Sequence, residues 1–324
     1  MARKSFKTRD SALAFYVNQL ENLDKRLYMP LLEVSWGRDI KLRPGVSMSD
    51  ESTSFIQSAF AAGGSLLNGN GASGGNMPFI SPETTAIGQV SIDGSKQVLP
   101  LHLLAREVSF TSVELERSQK LGTSIDAQKT DALNLLYQMN TDQMVYIGAT
   151  EVNATGLLNS SLVTASNVAA GISGSTQWAN KTPDEILLDV NTLLTSVWLS
   201  SAYAVCPGEL RVPPVQFGLL ATMKVSSAGN CSVLKYLEDN SIALRINGRA
   251  LNIQPIKWLT GRGAAGADRM MAYTNAENRV RFPMVPIRRE TAYYQGIRYT
   301  APYLWAFGHV EFVYPETAGY GDGI

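Results

Sequence analysis

Few residues in this chain stand where chemistry would need them. Two segments spell the glycine pattern of a dinucleotide-binding turn, Gly69-Asn-Gly71-Ala-Ser-Gly74 and Gly261-Arg-Gly263-Ala-Ala-Gly266. That pattern works only between a strand and a helix whose N-terminus faces a pyrophosphate. The first lies in low-complexity sequence with no helix after it, and the second leads into residues 267–274, which read as a strand. Both are expected to be loops. His102 and His309 are the only histidines, each beside apolar neighbours and without carboxylates or thiolates at metal-ligating spacing, so structural roles are expected for both.

Cys206 and Cys231 form no CxxC pair and read as small hydrophobes, which fits a reducing intracellular origin. No nucleophile elbow, HExxH or GxxxxGK[ST] occurs. Asp184-Glu185 and Glu238-Asp239 are better explained as helix-end charges than as an acid/base pair. Arg288-Arg289 could meet a phosphate, but an inter-subunit ion pair or a solvated face fits them better. The expectation is therefore no catalytic residue, no metal and no cofactor.

Composition points the same way. Basic and acidic residues number 28 each, so no global field steers the chain toward nucleic acid or an anionic membrane. Only 17% of residues are charged, against about 25% in a typical soluble domain, while 45% are hydrophobic. That balance favours surface buried between subunits. No apolar run approaches the roughly 18 residues of a membrane span, and the N-terminus lacks a signal-peptide core. Its basic opening, Met1 to Arg9, reads as a solvated arm.

The elements that would position any site follow from periodicity. Leu13, Tyr16, Leu20, Leu23 and Leu27 form one stripe of an amphipathic helix over 11–27, closed by Pro30, with 31–46 extended. Residues 60–78 are too rich in Gly, Ser and Asn to pack and read as a flexible loop. Strands at 87–92 and 98–110 flank Asp93-Gly94, a hairpin-turn signal, so 55–110 reads as a long protruding hairpin. After Gly122 a helix runs to about Tyr146, with Ala132, Leu135, Leu136 and Met139 on its apolar face and a length of about 35 Å.

Thr182-Pro183-Asp184-Glu185 starts the next helix with a hydroxyl cap, Pro at the first position and Glu at the third. Its stripe is Ile186, Val190, Leu193, Leu194 and Val197, ending near Ser200. A strand over 202–206, helices over 215–222 and 232–239, and strands over 251–259 and 270–274 complete the middle of the chain. The run from 284 to 324 is Pro-punctuated and β-like, and Glu311-Phe312-Val313-Tyr314 reads as a strand buried on one face. The fold class is α+β, with domains interleaved along the chain.

Three stretches in order carry a resemblance. They are Glu107-Val-Ser-Phe-Thr-Ser-Val-Glu-Leu115 followed by a long helix and Gly148-Ala-Thr-Glu-Val-Asn-Ala-Thr-Gly-Leu-Leu-Asn159; Pro213-Pro-Val-Gln-Phe-Gly-Leu-Leu-Ala221 with Ser232-Val-Leu-Lys-Tyr-Leu-Glu-Asp-Asn240; and the run from Pro283 to Ile324 with Gly308-His-Val-Glu-Phe-Val-Tyr-Pro315. Together they resemble the major capsid proteins of tailed bacteriophages, which share the Hong Kong 97 fold.

The resemblance implies an N-terminal arm (1–50), an extended β-hairpin loop (51–106), a peripheral domain with a long spine helix (107–158 and 284–324) and an axial domain (159–283). It implies self-assembly into hexamers and pentamers that form an icosahedral head around double-stranded DNA. The partners would be other copies of the chain, with portal, scaffolding and decoration proteins, and DNA contacted without sequence preference. The place would be the virion, after assembly in the host cytoplasm, with no membrane involved. Leu13, Tyr16, Leu20, Lys96, Arg262, Arg288 and Arg289 are the candidates for inter-subunit contact. Hairpin lysines in related proteins form isopeptide cross-links, but no acidic catalyst or acceptor Asn is identifiable for Lys96. The alternatives are an encapsulin-like nanocompartment shell and, more distantly, a nucleotide-dependent enzyme using Gly261 to Gly266.

Overall fold

The computed structural model describes residues 32–62, 65–66, 90–121, 125–226 and 231–324. The stripe from Leu13 to Leu27, most of the glycine-rich run and the first GxGxxG segment lie outside the described residues. Two compact units divide the chain. The larger holds Val34–Arg106, Tyr137–Glu290 and Tyr303–Ile324, and the smaller holds Glu107–Leu136 and Thr291–Pro302.

The segment expected to be extended before residue 46 contains one turn of helix, α1 (Trp36–Asp39), ahead of the short strand β1 (Lys41–Leu42). Asp142 explains the turn. Its Oδ1 accepts from the backbone N–H groups of Ser35 and Trp36 at 3.0 and 3.2 Å, capping α1 from a distant element. Next come β2 (Ser52–Ala62), β3 (Ser65–Leu66) and the 22-residue β4 (Val90–Thr111). β2 and β4 pair antiparallel from Ser52↔Pro100 to Ala62↔Val90, a ribbon in the place expected for the hairpin. Asp93-Gly94 is not its turn. These residues sit inside β4 opposite Ala59 and Ser58, because the ladder runs on past them and cross-strand pairing overrides a local turn preference.

In the smaller unit, β4 ends at Thr111 and α2 (Ser112–Leu121) follows. Thr111 and Glu114 cap each other's backbone: Thr111 N–H donates to Glu114 Oε2 at 3.1 Å and Glu114 N–H to Thr111 Oγ1 at 3.2 Å. Lys129, on the spine helix α3 (Ile125–Tyr146), donates to Glu114 Oε2 at 3.1 Å and to the Ser109 carbonyl at 2.8 Å.

At 22 residues α3 is about 33 Å long. Its buried side chains are Leu133, Tyr137, Thr141, Asp142, Met144, Val145 and Tyr146, whereas Met139 is exposed and Ala132 lies on the solvent side. The expected face was wrong because it counted only apolar residues. The real one includes polar groups that are satisfied internally, such as Thr141 Oγ1 on the Tyr137 carbonyl at 2.8 Å. The helix ends against β5 (Gly148–Ala149) and β6 (Ala154–Thr155), and the stretch Gly156 to Asn159 satisfies its last carbonyls. Leu157 N–H donates to the Val145 carbonyl at 2.7 Å, Leu158 N–H to Tyr146 at 3.0 Å and Asn159 Nδ2 to Ile147 at 2.8 Å. A Cβ on Gly156 would lie 2.4 Å from the Tyr146 carbonyl carbon. Gly156→Ala is therefore expected to cost about 1–3 kcal/mol, read as a lower urea midpoint at unchanged slope.

The remaining strands and helices are β7 (Thr164–Asn167), α4 (Pro183–Ser200), β8 (Glu209–Val212), α5 (Pro214–Thr222), α6 (Val233–Asn240), α7 (Ile242–Asn247), β9 (Asn252–Pro255) and β10 (Arg269–Tyr273). After them come β11 (Val280–Phe282), β12 (Met284–Arg289), β13 (Tyr293–Gln295), β14 (Arg298–Gly308), β15 (Glu311–Phe312) and β16 (Ala318–Asp322). α4 has the expected capping box, with Thr182 N–H donating to Glu185 Oε2 at 2.8 Å, and buries Ile186, Val190, Leu193, Leu194 and Val197. The strand expected over 202–206 is instead a turn. Ala202 and Tyr203 take positive φ (53 and 60°), and the Tyr203 carbonyl accepts from Trp198 Nε1 at 2.9 Å, folding the chain back over the end of α4.

A five-stranded sheet ordered β7-β16-β10-β8-β9 separates two cores in the larger unit. Met270 and Ala272 of β10 face the α4 stripe, and Met271 and Tyr273 face Tyr146, Leu157, Leu158 and Trp305. A strand covered on both sides needs apolar residues at both parities, which is what Met-Met-Ala-Tyr supplies. The C-terminal run is shared among sheets. β12 pairs with β14 beside β4, β15 pairs with β11, and β16 inserts between β7 and β10.

Candidate functional site: the ribbon and its root

Two buried carboxylates hold the segment that leads into the ribbon. Asp39, fully buried, receives Arg211 Nε at 2.8 Å, Arg38 Nε at 2.9 Å and the Tyr146 hydroxyl, while its carbonyl receives the Tyr273 hydroxyl at 2.6 Å. Arg211, also fully buried, spends its other nitrogens on Glu209 at 2.6 Å and on the Leu210 and Asn252 carbonyls at 3.1 and 2.8 Å. Burial alone would lower its pKa, but the electrostatic surroundings of Tyr273 and of the Asp39 and Glu209 carboxylates outweigh it and hold the guanidinium above its ordinary value. Burial, then the Asp39 charge, pushes the Tyr146 hydroxyl far up, so it serves as a donor and not as an acid at any working pH.

Glu311 is the second carboxylate. Expected on a strand with one buried face, it is itself fully buried, as is Phe312 beside it, so β15 is covered on both sides. Arg43 Nη1 and Arg281 Nε reach its two oxygens at 2.5 and 2.6 Å, which makes the burial tolerable. Arg43 also donates to the Ser54 carbonyl of β2 at 3.0 Å. Gln57 Nε2 donates to the Val313 carbonyl at 3.1 Å, and Leu101 N–H to the Glu51 carbonyl at 2.9 Å. The root of the ribbon is thus tied to β11 and β15 by charge-assisted bonds, with β1 paired parallel to β11 alongside.

Beyond the root the ribbon exposes what a soluble protein usually hides. Ile56, Ile92 and Val98 are 72, 67 and 54% exposed. They share one face, because alternate residues along a strand and residues directly opposite in an antiparallel pair point the same way: Ile92, Lys96 and Val98 alternate along β4, and Ile56 is opposite Lys96. Lys96, exposed, sits among them. A two-stranded ribbon is marginal on its own in water, and this face is left uncovered by the described residues. A second exposed patch lies in the smaller unit on the β13–β14 hairpin, where Tyr293, Tyr294 and Ile297 are 44, 78 and 69% exposed and Tyr294 packs edge-on against Tyr299.

The remaining expected site residues scatter. Arg262 is exposed in a loop, Arg288 pairs with Glu290 at 2.5 Å on an exposed edge, and Arg289 is exposed beside it. Leu13, Tyr16 and Leu20 lie outside the described residues. The Gly261 to Gly266 segment does not build a phosphate cradle. Gly261 N–H is used by Asp268 at 2.8 Å, Ala264 N–H by Asp322 at 3.1 Å and Gly263 N–H by the Ala267 carbonyl at 2.6 Å, and the segment leads into β10, not a helix. Two carboxylates occupy the amides that a pyrophosphate would need. Asp322 itself is clamped by Arg269 at 2.6 and 2.9 Å, and that guanidinium lies 4.4 Å from the Tyr320 ring. Among the described residues no group of three or more His, Cys, Asp or Glu could hold a metal ion.

The two histidines, each expected in a structural role, are brought together: His102 Nε2 and His309 Nε2 are 3.2 Å apart. Sequence reasoning had no signal for that pairing, nor for Asp39 with Arg211. It did have one for Thr111 and Glu114, whose T-x-x-E spacing is a helix start.

Comparison with known proteins places this geometry. A family model described as Major capsid protein matches residues 75–324. No curated protein matches the sequence. Among solved structures, the capsid of Myoviridae phage XM1 is similar at TM-score 0.74 and 15% identity, with 95% of this chain and 98% of that one covered. The capsid of an empty GTA particle is similar at TM-score 0.56 and 11% identity, covering 95% and 97%. A virus-like particle from Pyrococcus furiosus is similar at TM-score 0.50 and 14% identity, covering 98% and 99%.

Proposed function

The chain belongs to the major capsid protein family, and from that premise we infer that its copies assemble as hexamers and pentamers into the icosahedral head of a tailed bacteriophage. The fold is the Hong Kong 97-like fold of capsid subunits. Within it, residues 1–50 act as the arm, 51–106 as the extended loop, 107–158 with 284–324 as the peripheral domain and 159–283 as the axial domain. β16 lends its strand to the sheet of the axial segment. The observation that carries the reading is the ribbon: a paired, rooted element whose Ile56, Ile92 and Val98 face is exposed in the single chain.

The mechanism is burial. Laid over a neighbour, arm and loop bring the interface above the roughly 1,600 Å² of a standard complex. Head-to-tail contacts of this kind close into rings. The shell encloses double-stranded DNA and touches it without reading sequence, in keeping with a formal net charge of +0. Portal, scaffolding and decoration proteins are the further partners this reading would supply, and the lattice forms in the host cytoplasm and ends as the virion coat. No described helix is long and apolar enough to cross a membrane.

Electron microscopy of the purified protein tests this, with closed particles as the expected result. A small oligomer stabilised by nucleotide, or an enzyme co-purifying in place of DNA, would overturn it. Removing residues 1–28 is expected to abolish closed particles while leaving a soluble chain that still unfolds cooperatively on heating. Intact particles from that truncation would remove the arm from the assembly.

A further inference from the structure

We propose that His102 and His309 form an acid-opened latch that fastens the root of the ribbon to the turn after β14. The contact joins two elements distant in sequence, and it is directional. Nε2 to Nε2 is 3.2 Å and the ring centroids are 5.4 Å apart, close to the nitrogen gap plus the two ring radii, so the nitrogens meet nearly head on. That is the geometry of one N–H donating to one bare nitrogen, which requires the rings to hold opposite protonation at Nε2.

Backbone bonds beside each ring keep it in place. Leu101 N–H donates to the Glu51 carbonyl and Gly308 N–H to the Pro283 carbonyl, both at 2.9 Å. Next to His309 lies a cavity of about 190 Å³ walled by Phe55, Leu99, Leu162, Val310 and Phe312, with uncharged polar groups only. The space lets the ring move away from its partner, and Gln57, Gln97, Thr155 and Ser160 on the cavity wall offer a displaced imidazole neutral acceptors but no counter-charge.

Charged groups on the surrounding elements are committed or turned to water. On β15, Glu311 is held by Arg43 and Arg281. Ahead of β2, Asp50 accepts from the Ser47 amide at 2.8 Å and Glu51 is exposed. Burial, and secondly the proximity of His102, lowers the His309 pKa, with no carboxylate among the causes to counter it.

The proton count sets the behaviour. With no added proton the pair shares one N–H, and with one added proton the bond is a cationic N–H to a neutral nitrogen, still attractive. With two, both nitrogens are donors and both rings are positive, so the contact becomes repulsive. Because the folded-state pKa of His309 lies below its unfolded value of about 6.5, the unfolded or opened form binds more protons. The contact is therefore fully stabilising above that value, acid below it favours opening, and the contact itself is lost when both rings are charged.

The latch is a property of the single chain, so it is tested on unassembled protein, and its failure leaves the capsid assignment untouched. Hydrogen–deuterium exchange, corrected for intrinsic rates, is compared at about pH 7.5 and about pH 5, on either side of the ordinary histidine value. Peptides covering 97–104 and 308–313 are expected to exchange at least about ten-fold faster in acid, about 1.4 kcal/mol of opening, with peptides from α4 unchanged. The His102→Gln/His309→Gln variant keeps an amide hydrogen bond and cannot titrate, so it is expected to lose the acid response. An equal acid response in that variant, or none in the wild type, would overturn the proposal. By NMR, His102→Gln is expected to raise the His309 titration midpoint, and an unmoved midpoint would equally overturn it.

Discussion

Asp39→Ala is expected to cost about 3–5 kcal/mol of folding stability, the range observed when one partner of a buried ion pair is removed. The loss is large because Asp39 closes several accounts at once. Its carboxylate is the acceptor for Arg211, Arg38 and the Tyr146 hydroxyl, and without it the one carboxylate left to Arg211, beside the Leu210 and Asn252 carbonyls, is Glu209, whose side chain is 21% exposed. A guanidinium with no solvent access cannot relax into water without opening the sheet around β8. Against a typical total of about 5–15 kcal/mol, the change should be plain as a drop in urea midpoint. Asp39→Leu combined with Arg211→Met, which removes both charges, should recover much of the loss. If the single variant loses less than about 1 kcal/mol, the network is not holding α1 in place.

Ile56→Asp with Val98→Asp should leave the chain folded and abolish closed particles. Both side chains are exposed in the single chain, so their replacement should change its stability by no more than about 0.5 kcal/mol. In an assembly each would be buried, and a fully buried Ile or Val contributes about 1.5–3 kcal/mol. Two such losses raise the concentration needed for assembly by roughly 100-fold to 10,000-fold. A buried aspartate adds a desolvation cost of its own. Sedimentation and electron microscopy read the assembly, and thermal unfolding reads the fold. Normal particles from this variant would mean that the ribbon's exposed face is not an interface.

Local features of the fold were legible where one segment carries both its start signal and its packing stripe. Thr182 to Val197 is such a case, since the cap, the proline and the apolar spacing all agree. β10 was legible as a strand for a related reason: its four-residue apolar run fits coverage on both faces. Asp93-Gly94 misled because a turn dipeptide is a weak local preference and the ladder around it is long. The α3 face misled because Tyr137, Thr141 and Asp142 are buried with internal partners, which an apolar count cannot detect.

The candidate site was the least legible part. Asp39 with Arg211, Glu311 with Arg43 and His102 with His309 are pairs made by topology, and nothing at either residue's own position announces its partner. The ribbon was visible as a hairpin, but its exposed face follows from the register, which places Ile56, Ile92 and Val98 together.

The position of β16 governs the order in which this molecule can be made. It lies between β7 and β10, parallel to one and antiparallel to the other, and β7 stands at the sheet's edge with β16 as its neighbour. On a ribosome the residues of β7 emerge long before those of β16, so the sheet stays open while most of the chain is synthesised. Its pairing is non-local, and the loop-closure entropy must be met before the contacts form. Delivery of β16 thus becomes a checkpoint: a nascent chain that has not yet supplied Ala318–Asp322 has no finished sheet, and so no finished surface with which to join a lattice prematurely.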